Sequence, residues 1–220
     1  MAKKEKILRV LNKRELEQVN NSSNEFHKAI MLFLSNTGLR VSELVSLNVG
    51  DIMYDDETLK NQMSVTGKGN KQRTIPLNQK AKEALFILIQ QSKKEMKKCF
   101  DLDSPLIVSR KRTRMSRQHV SLILRRFREA NRIETQLTPH VFRHQFATTL
   151  IKRGANMKTV QKLLGHSSIK TTIDIYTHAT IEDLTEAVNL NIKISRGAFS
   201  AIFMIQCLDV IGCKNLRLGD

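Results

Sequence analysis

Apolar residues recur at helical spacing along most of the chain, and polar or glycine-containing breaks separate these segments. Asn12 and Glu15 resemble a capping box, in which each side chain accepts a backbone N–H of the other residue, and they predict a helix over about residues 13–20. A second apolar stripe ends near Gly38, a residue type favoured just after a helix. A third, short amphipathic helix is predicted to start close to Arg40.

The pattern changes between about residues 49 and 77 to short segments rich in Ile, Val and Thr. Such runs between turn residues are typical of β-strands. The break at Gly67-Lys68-Gly69-Asn70 predicts a turn joining a strand around residues 63–66 to one around 73–77. The segment is therefore predicted to be a small antiparallel sheet that displays Lys68 at its turn.

Helical spacing returns in the second half, where polar residues mark helix starts and Gly154 and Gly165 mark helix ends. Pro139 occupies the first-turn position that proline tolerates best. The fold class predicted for the whole chain is mainly α with a small antiparallel β-sheet (α+β). The predicted helix starts are Asn78, Ser116, Thr138, Asn156, Ser168 and Thr180.

The charge of the chain points to a polyanionic partner. Lys and Arg number 37 against 21 Asp and Glu, which gives a formal net charge of +16 and a pI near 10.0. Nucleic acid is the first candidate and an anionic membrane surface the second. A chain of 220 residues can bury one good core. No membrane-length apolar run and no secretory signal is visible, so we expect a cytoplasmic, nucleoid-associated protein without a membrane partner.

The cysteines are predicted to be reduced thiols, and a set of basic residues is predicted to contact DNA. Cys99, Cys207 and Cys213 are odd in number and lack C-x-x-C spacing, so we expect reduced, mostly structural thiols. A charge run on a loop is either a solvated surface or a phosphate contact, and the net charge favours the second. The predicted DNA-binding residues are Lys71, Arg73, Arg110, Lys111, Arg112 and Arg114.

Five short motifs carry a resemblance to a known family. They are Thr37-Gly38-Leu39-Arg40-Val41-Ser42-Glu43-Leu44, Gly67-Lys68-Gly69-Asn70-Lys71, Leu137-Thr138-Pro139-His140 with Arg143-His144, Leu164-Gly165-His166, and Ile175-Tyr176-Thr177-His178. In this order and spacing the chain resembles the tyrosine recombinases, the family of phage integrases, Xer-type resolvases and fimbrial-type DNA invertases. The resemblance covers about residues 25–190 and implies the catalytic-domain fold of that family.

The resemblance implies that Tyr176 is the nucleophile that attacks a DNA phosphodiester. Forming a phenolate at neutral pH costs about 4 kcal/mol, because the pKa of a free tyrosine lies roughly three units above neutrality. His140 would accept or relay the phenolic proton, and Lys68 would protonate the leaving 5′-oxygen as general acid. The bond energy is kept in a 3′-phosphotyrosyl link, so the reaction needs no ATP and no cofactor.

The resemblance also assigns the positive side chains. Arg40 and Arg143 would clamp the phosphoryl oxygens, because the planar guanidinium offers paired donors to such oxygens, and His166 would be a further donor. Glu43, one helical turn after Arg40, would orient its neighbours.

A metal site is the competing interpretation of the histidines. His140 and His144 are four residues apart on a predicted helix, as in H-E-x-x-H, but Val141 stands where that motif has glutamate. Arg143 would also place a cation against the metal. No metal is therefore predicted.

The predicted domains are a short basic N-terminal segment over residues 1–24, a recombinase catalytic domain over 25–191 and a C-terminal tail over 192–220. Most members of that family carry a core-binding domain before the catalytic domain, and residues 1–24 are too few for us to expect one there. The chain therefore resembles the minimal fimbrial-type recombinases, or is a fragment of a longer parent. Three interpretations of the tail stay open: packing on its own domain, docking on a neighbouring protomer, or loose order.

The function predicted is site-specific DNA recombination on double-stranded DNA, with a homo-tetramer holding two DNA sites, as the resemblance implies. Integration, excision, inversion and resolution all remain open. Two alternatives belong to other classes, namely type IB topoisomerase-like relaxation of DNA and a non-catalytic DNA-binding regulator.

Overall fold

The computed structural model of the chain describes residues 10–54, 56, 58–67, 69 and 71–165. These residues all belong to one of the two units into which the chain divides, Met1–Tyr176. They form seven α-helices and a two-stranded antiparallel sheet, which confirms the predicted fold class. In chain order the elements are α1 (Lys13–Asn20), α2 (Glu25–Thr37), α3 (Val41–Ser46), β1 (Gln62–Thr66), β2 (Gln72–Pro76), α4 (Gln79–Met96), α5 (Arg117–Ala130), α6 (Pro139–Lys152) and α7 (Met157–Leu164).

Side-chain caps account for where the helices begin. At α1 the capping box is present, since the backbone N–H of Glu15 donates to Asn12 at 2.9 Å and that of Asn12 donates to Glu15 at 2.9 Å. Each of five further caps accepts a backbone N–H from the first turn of its helix, and the caps are Asn24, Asn78, Ser116, Thr138 and Asn156. All the starts predicted within the described residues are confirmed.

The sheet is a hairpin with one buried face. Val65 of β1 lies opposite Arg73 of β2, and Met63 lies opposite Ile75. The backbone N–H of Gly67 donates to the carbonyl of Lys71 at 2.8 Å, so the two strands stay paired up to the turn. The predicted hairpin is confirmed, while Lys68 itself lies outside the described residues.

Helix α2 is the centre of the core, and α4, α5 and α6 pack against it. Phe33 of α2 and Phe142 of α6 have no exposed surface. Burying a side chain of this kind contributes about 1.5 to 3 kcal/mol. The apolar stripes that predicted these helices therefore face one common core.

The turn after α2 brings distant elements together. Gly38 adopts the left-handed conformation, with φ of +63°. A Cβ atom at this position would lie 2.5 Å from Phe146 and 2.9 Å from Leu164, so only glycine fits. The start of α3 is therefore held beside α6 and the end of α7.

Helix α1 is fastened to the connection between α5 and α6. The carboxylate of Glu15 is 4% exposed and accepts hydrogen bonds from the backbone N–H of Thr135 at 3.0 Å and from its hydroxyl at 2.9 Å. The amide of Gln18 donates to the carbonyl of Asn131 at 3.0 Å. The residues before α2 are thus part of the packed unit as far as the structure describes them.

One cysteine differs from the sequence-based expectation. Cys99 is an exposed free thiol rather than a structural one, because it lies in a 3₁₀ turn, Lys97–Cys99, that follows α4 on the surface. On α5, Arg128 is half-buried, and its Nε donates to the carbonyl of Ile133 at 3.2 Å.

Among the described residues no helix combines the length and apolarity needed to span a membrane. The predicted helices that would carry Tyr176 and start at Thr180, and the tail over 192–220, lie outside the described residues.

Candidate functional site

Arg40 stands at the entrance of α3, as predicted, and its guanidinium is partly open to solvent. Its backbone N–H donates to Oε2 of Glu43 at 2.8 Å, and its Nη1 donates to Oε1 of the same carboxylate at 2.9 Å. Its Nη2 donates to the carbonyl of Gly165 at 3.1 Å. With 33% of its side chain exposed, Arg40 has a fixed orientation and retains an accessible face.

Glu43 is the negative centre of the site. Its side chain is 3% exposed and accepts four hydrogen bonds, two from Arg40 and two from Arg73. Burial acts to raise the pKa of Glu43, but the hydrogen bonds from Arg73 and Arg40 and the charge of Arg73 outweigh it and leave the pKa below its ordinary value. The carboxylate is therefore ionised at neutral pH, and it orients its neighbours as the sequence suggested.

Arg73, predicted from the sequence to contact DNA, is turned inward. Its Nη1 and Nη2 donate to the two oxygens of Glu43 at 2.8 and 2.7 Å, and its Nε donates to the carbonyl of Leu163 at 2.7 Å. Only 8% of the side chain is exposed. We correct the prediction, because the donors that a phosphate would need are already engaged inside the protein.

Arg143 is buried beneath the site, with 7% of its surface exposed. Its Nη1 donates to the carbonyl of Gly38 at 2.7 Å, and its Nη2 donates to the carbonyl of Leu164. Burial lowers the pKa of Arg143 to about 9, and the Arg40 and Arg73 cations act in the same direction while Glu43 opposes them. The guanidinium is still a cation at neutral pH, but burial and the neighbouring cations destabilise its charged form.

Backbone carbonyls at the end of α7 accept hydrogen bonds from all three arginines. Three successive carbonyls, those of Leu163, Leu164 and Gly165, accept hydrogen bonds from Arg73, Arg143 and Arg40 respectively. The carbonyls at a helix C-terminus carry partial negative charge, so this end suits cations. Gly165 ends the helix in the left-handed conformation, with φ of +64°.

The charges of the four side chains in the site do not sum to zero. Arg40, Arg73 and Arg143 contribute three positive charges and Glu43 one negative charge, which leaves +2. Buried cations are costly unless they are paired, and the carbonyl dipoles compensate them only in part. The site is therefore suited to bind an anion through the exposed edge of Arg40.

The two residues of the predicted H-x-x-R pair have different surroundings. His140 is exposed in the first turn of α6, whereas Arg143, one turn later, is buried. His144 is also buried, at 9% exposure. Although the two residues are one turn apart, the helix places the imidazole at the surface and the guanidinium inside.

Of the predicted catalytic set, the structure therefore brings Arg40 and Arg143 together and places His140 at the surface of α6. Lys68, His166 and Tyr176 lie outside the described residues.

Most of the residues predicted to contact DNA lie on the protein surface. Lys71, Arg110, Lys111 and Arg112 are exposed. Arg114 is exposed too, but its Nη1 donates to the carbonyls of Val45 and Leu47 at 2.8 and 3.0 Å, so it also fastens the end of α3.

The sequence interpretation missed an open groove between the start of α3 and one face of α5. Its lining residues are Val41, Arg117, Gln118, Ser121, Leu122 and Arg125. Polar and basic positions recurring every three or four residues along α5 are the signal that could have found it.

Comparison with known proteins assigns the chain to a family. The profile of the "Phage integrase family" matches residues 9–183, and a second profile, of a domain of unknown function, matches residues 183–216. The tyrosine recombinase XerC of Thermodesulfovibrio yellowstonii is 36% identical over 171 residues, covering 77% of this chain and 55% of that protein. The tyrosine recombinase XerD of Bifidobacterium longum is 39% identical over 163 residues, covering 72% of this chain and 51% of that protein.

Solved structures agree with these relatives. A crystal structure of XerA recombinase superposes with a TM-score of 0.69 at 28% identity, covering 83% of this chain and 65% of that chain. XerH site-specific recombinase bound to difH substrate superposes with a TM-score of 0.61 at 25% identity, covering 83% of this chain and 54% of that chain. The chain spans about half the length of the curated relatives it matches. On its sequence, its fold and its arginine cluster, the chain belongs to the phage integrase family, that of the tyrosine recombinases.

Proposed function

We propose that the chain is the catalytic part of a site-specific recombinase that cuts and rejoins double-stranded DNA through a 3′-phosphotyrosyl intermediate. The observation that carries the proposal is the pair Arg40 and Arg143, two guanidiniums bound to neighbouring carbonyls at the end of α7 with an unbalanced positive charge. Family membership supports it, as does XerH, a recombinase of the same fold in complex with its difH substrate.

In the proposed reaction the phenolic oxygen of Tyr176 forms a bond to the scissile phosphorus while the bond from phosphorus to the 5′-oxygen breaks. The phenolic proton passes to or through His140, whose exposed imidazole at the start of α6 is accessible. Lys68 supplies a proton to the leaving 5′-oxygen. Rejoining is the reverse reaction with the 5′-hydroxyl of the partner strand, so no ATP is consumed.

The arginines stabilise the charge that develops on the phosphoryl oxygens, with His166 as a further donor. Arg40 offers its exposed edge to the phosphate, while Arg143 contributes positive potential from within. A phosphate anion also offsets the burial and repulsion that lower the pKa of Arg143 to about 9. A bound phosphate therefore stabilises the protonated form of Arg143, and the positive charge of Arg143 in turn favours phosphate binding.

We further propose the wider assembly that strand exchange requires, four protomers holding two duplexes at the nucleoid in the cytoplasm. The exposed cations Lys71, Arg110, Lys111 and Arg112 contact the DNA backbone, together with Arg114. Each phosphate contact of this kind steepens the log–log salt dependence of binding by about 0.9.

The test uses a library of nicked DNA duplexes of randomised sequence, in which a short fragment leaves after cleavage and traps the covalent complex. The wild type is expected to form adducts that survive denaturation, with the DNA on the peptide that contains Tyr176. Tyr176→Phe is expected to form none. Tyr54→Phe is the matched control, because Tyr54 is the other tyrosine of the chain and is 53% exposed.

Four outcomes contradict parts of this proposal. Adducts on Tyr176→Phe, or their loss on Tyr54→Phe, overturn the nucleophile assignment. Relaxation of a supercoiled plasmid that lacks any captured sequence indicates topoisomerase activity. DNA binding without adducts in the wild type indicates a non-catalytic regulator.

A further inference from the structure

Arg73, like Arg143, has little surface that a substrate could reach. Besides the three hydrogen bonds already described, glycines enclose it on two sides: a Cβ atom at Gly165 would lie 3.2 Å from its Cδ and its Nη1, and one at Gly67 would lie 3.5 Å from its Nη1. Among the described residues, 8% of the side chain is exposed and Nε, Nη1 and Nη2 are all engaged, so the guanidinium offers little surface to a phosphate oxygen. Any effect of Arg73 on the reaction is therefore indirect, through the residues that it contacts.

The contacts of Arg73 join three separate segments of the chain. The residue belongs to β2, its partner Glu43 belongs to α3, and the carbonyl of Leu163 belongs to the last turn of α7. These partners are 30 and 90 residues away along the chain. The planar guanidinium of Arg73 therefore fixes the relative positions of the hairpin, the entrance of α3 and the end of α7.

The carboxylate of Glu43 transmits this constraint to Arg40. Oε1 accepts from Nη1 of Arg73 and Nη1 of Arg40, at 2.8 and 2.9 Å. Oε2 accepts from Nη2 of Arg73 and the backbone N–H of Arg40, at 2.7 and 2.8 Å. The paired bonds from Arg73 fix the plane of the carboxylate, and that plane determines where the guanidinium of Arg40 points.

We propose that Arg73 is a positioning residue of the recombinase reaction, which aims Arg40 at the scissile phosphate by holding Glu43 and the end of α7 in one geometry. This inference rests on the proposed function, because it assigns Arg40 to the phosphate. Lysine cannot replace Arg73, since one ammonium cannot donate to both carboxylate oxygens and to the Leu163 carbonyl in this planar arrangement.

The experiment measures single-turnover cleavage by Arg73→Lys, Arg40→Ala and the double variant at saturating protein. Each is assayed on a captured nicked duplex and on the same duplex with an uncharged methylphosphonate at the scissile position. Rate constants rather than amplitudes are compared, since unfolded molecules lower only the amplitude. Arg14→Lys is the matched control, because Arg14 is exposed on α1.

Arg73→Lys is expected to slow cleavage of the normal duplex roughly 10- to 100-fold, because a charged group is no longer correctly placed for the transition state. In the Arg40→Ala background the same change is expected to cost less than about threefold, since residues that act as a unit are not additive. On the methylphosphonate both single variants are expected to recover towards the wild type, because a neutral centre needs less positive charge. Arg14→Lys is expected to match the wild type throughout.

The inference is overturned if the losses of Arg73→Lys and Arg40→Ala multiply in the double variant, or if Arg73→Lys slows both substrates equally. It is also overturned if Arg73→Lys cleaves as fast as the wild type while Arg40→Ala is slow. Failure of the proposed function is a different result, in which the wild type itself forms no Tyr176-dependent adduct. If Arg73→Lys does not fold, Glu43→Asp tests the same link, because it shortens the carboxylate between the two arginines.

Discussion

Replacing Glu43 with glutamine tests the electrostatics of the cluster directly. The amide keeps the shape of the side chain and one acceptor oxygen, but its NH₂ group faces donors from Arg40 and Arg73 where the carboxylate accepted them. Two of the four hydrogen bonds are lost, and at about 1.5 kcal/mol for each bond to a charged group the free energy of unfolding falls by about 3 kcal/mol at pH 7. Removing one partner of a buried ion pair costs a similar amount.

The pH dependence of this loss is the sharper test. The pKa of Glu43 is lowered in the folded protein from its ordinary 4.5, so its contribution to stability is fully present above pH 4.5 and is lost as the pH falls through the lowered value. The difference in free energy of unfolding between wild type and Glu43→Gln is therefore expected to narrow at acid pH.

Urea unfolding followed by circular dichroism at a series of pH values measures this difference. Glu83→Gln is the matched control, because Glu83 is exposed on α4, and it is expected to change the free energy of unfolding by less than about 0.5 kcal/mol. An equal gap between wild type and Glu43→Gln at neutral and acid pH would refute the reasoning. So would a control effect as large as that of Glu43→Gln.

Three further predictions concern other contacts. Arg143→Lys can keep only one of the two carbonyl partners, Gly38 or Leu164, and is expected to slow cleavage of the nicked duplex roughly 100-fold; a rate constant within threefold of wild type contradicts this. Glu15→Gln is expected to lower the free energy of unfolding by about 2 kcal/mol in urea titrations, because it disturbs the buried bonds to Thr135, while leaving the cleavage rate constant of the folded protein unchanged. Gly38→Ala is expected to lower Tm by several degrees, because its Cβ would lie 2.5 Å from Phe146 at a φ of +63°; an unchanged Tm would show that the turn relaxes freely.

Local signals in the sequence were sufficient for the elements of the fold. The caps at Asn12, Asn78 and Thr138 act on N–H groups three residues away, and the left-handed ends at Gly38 and Gly165 depend on the absence of a side chain. Such interactions lie within one helical turn, so their residue types can be recognised without knowing the rest of the structure.

The order of the family motifs was likewise sufficient to nominate Arg40 and Arg143 for the site, but not to describe their surroundings. The exposure of His140 beside the burial of Arg143 depends on which face of α6 meets the core. That choice is made by packing against α2 and α7, which no local pattern encodes.

By itself, then, the sequence determined the helices and the hairpin of the described residues, the positive charge and the family. Only the tertiary structure decided that Arg73 turns inward to Glu43 and that three arginines share the end of α7. The physical reason is distance along the chain: Arg73 reaches Leu163 across 90 residues, Arg143 reaches Gly38 across 105, and Arg40 reaches Gly165 across 125. Whether an arginine faces solvent or binds a carbonyl is settled by which segments pack together, and that information exists only in the folded chain.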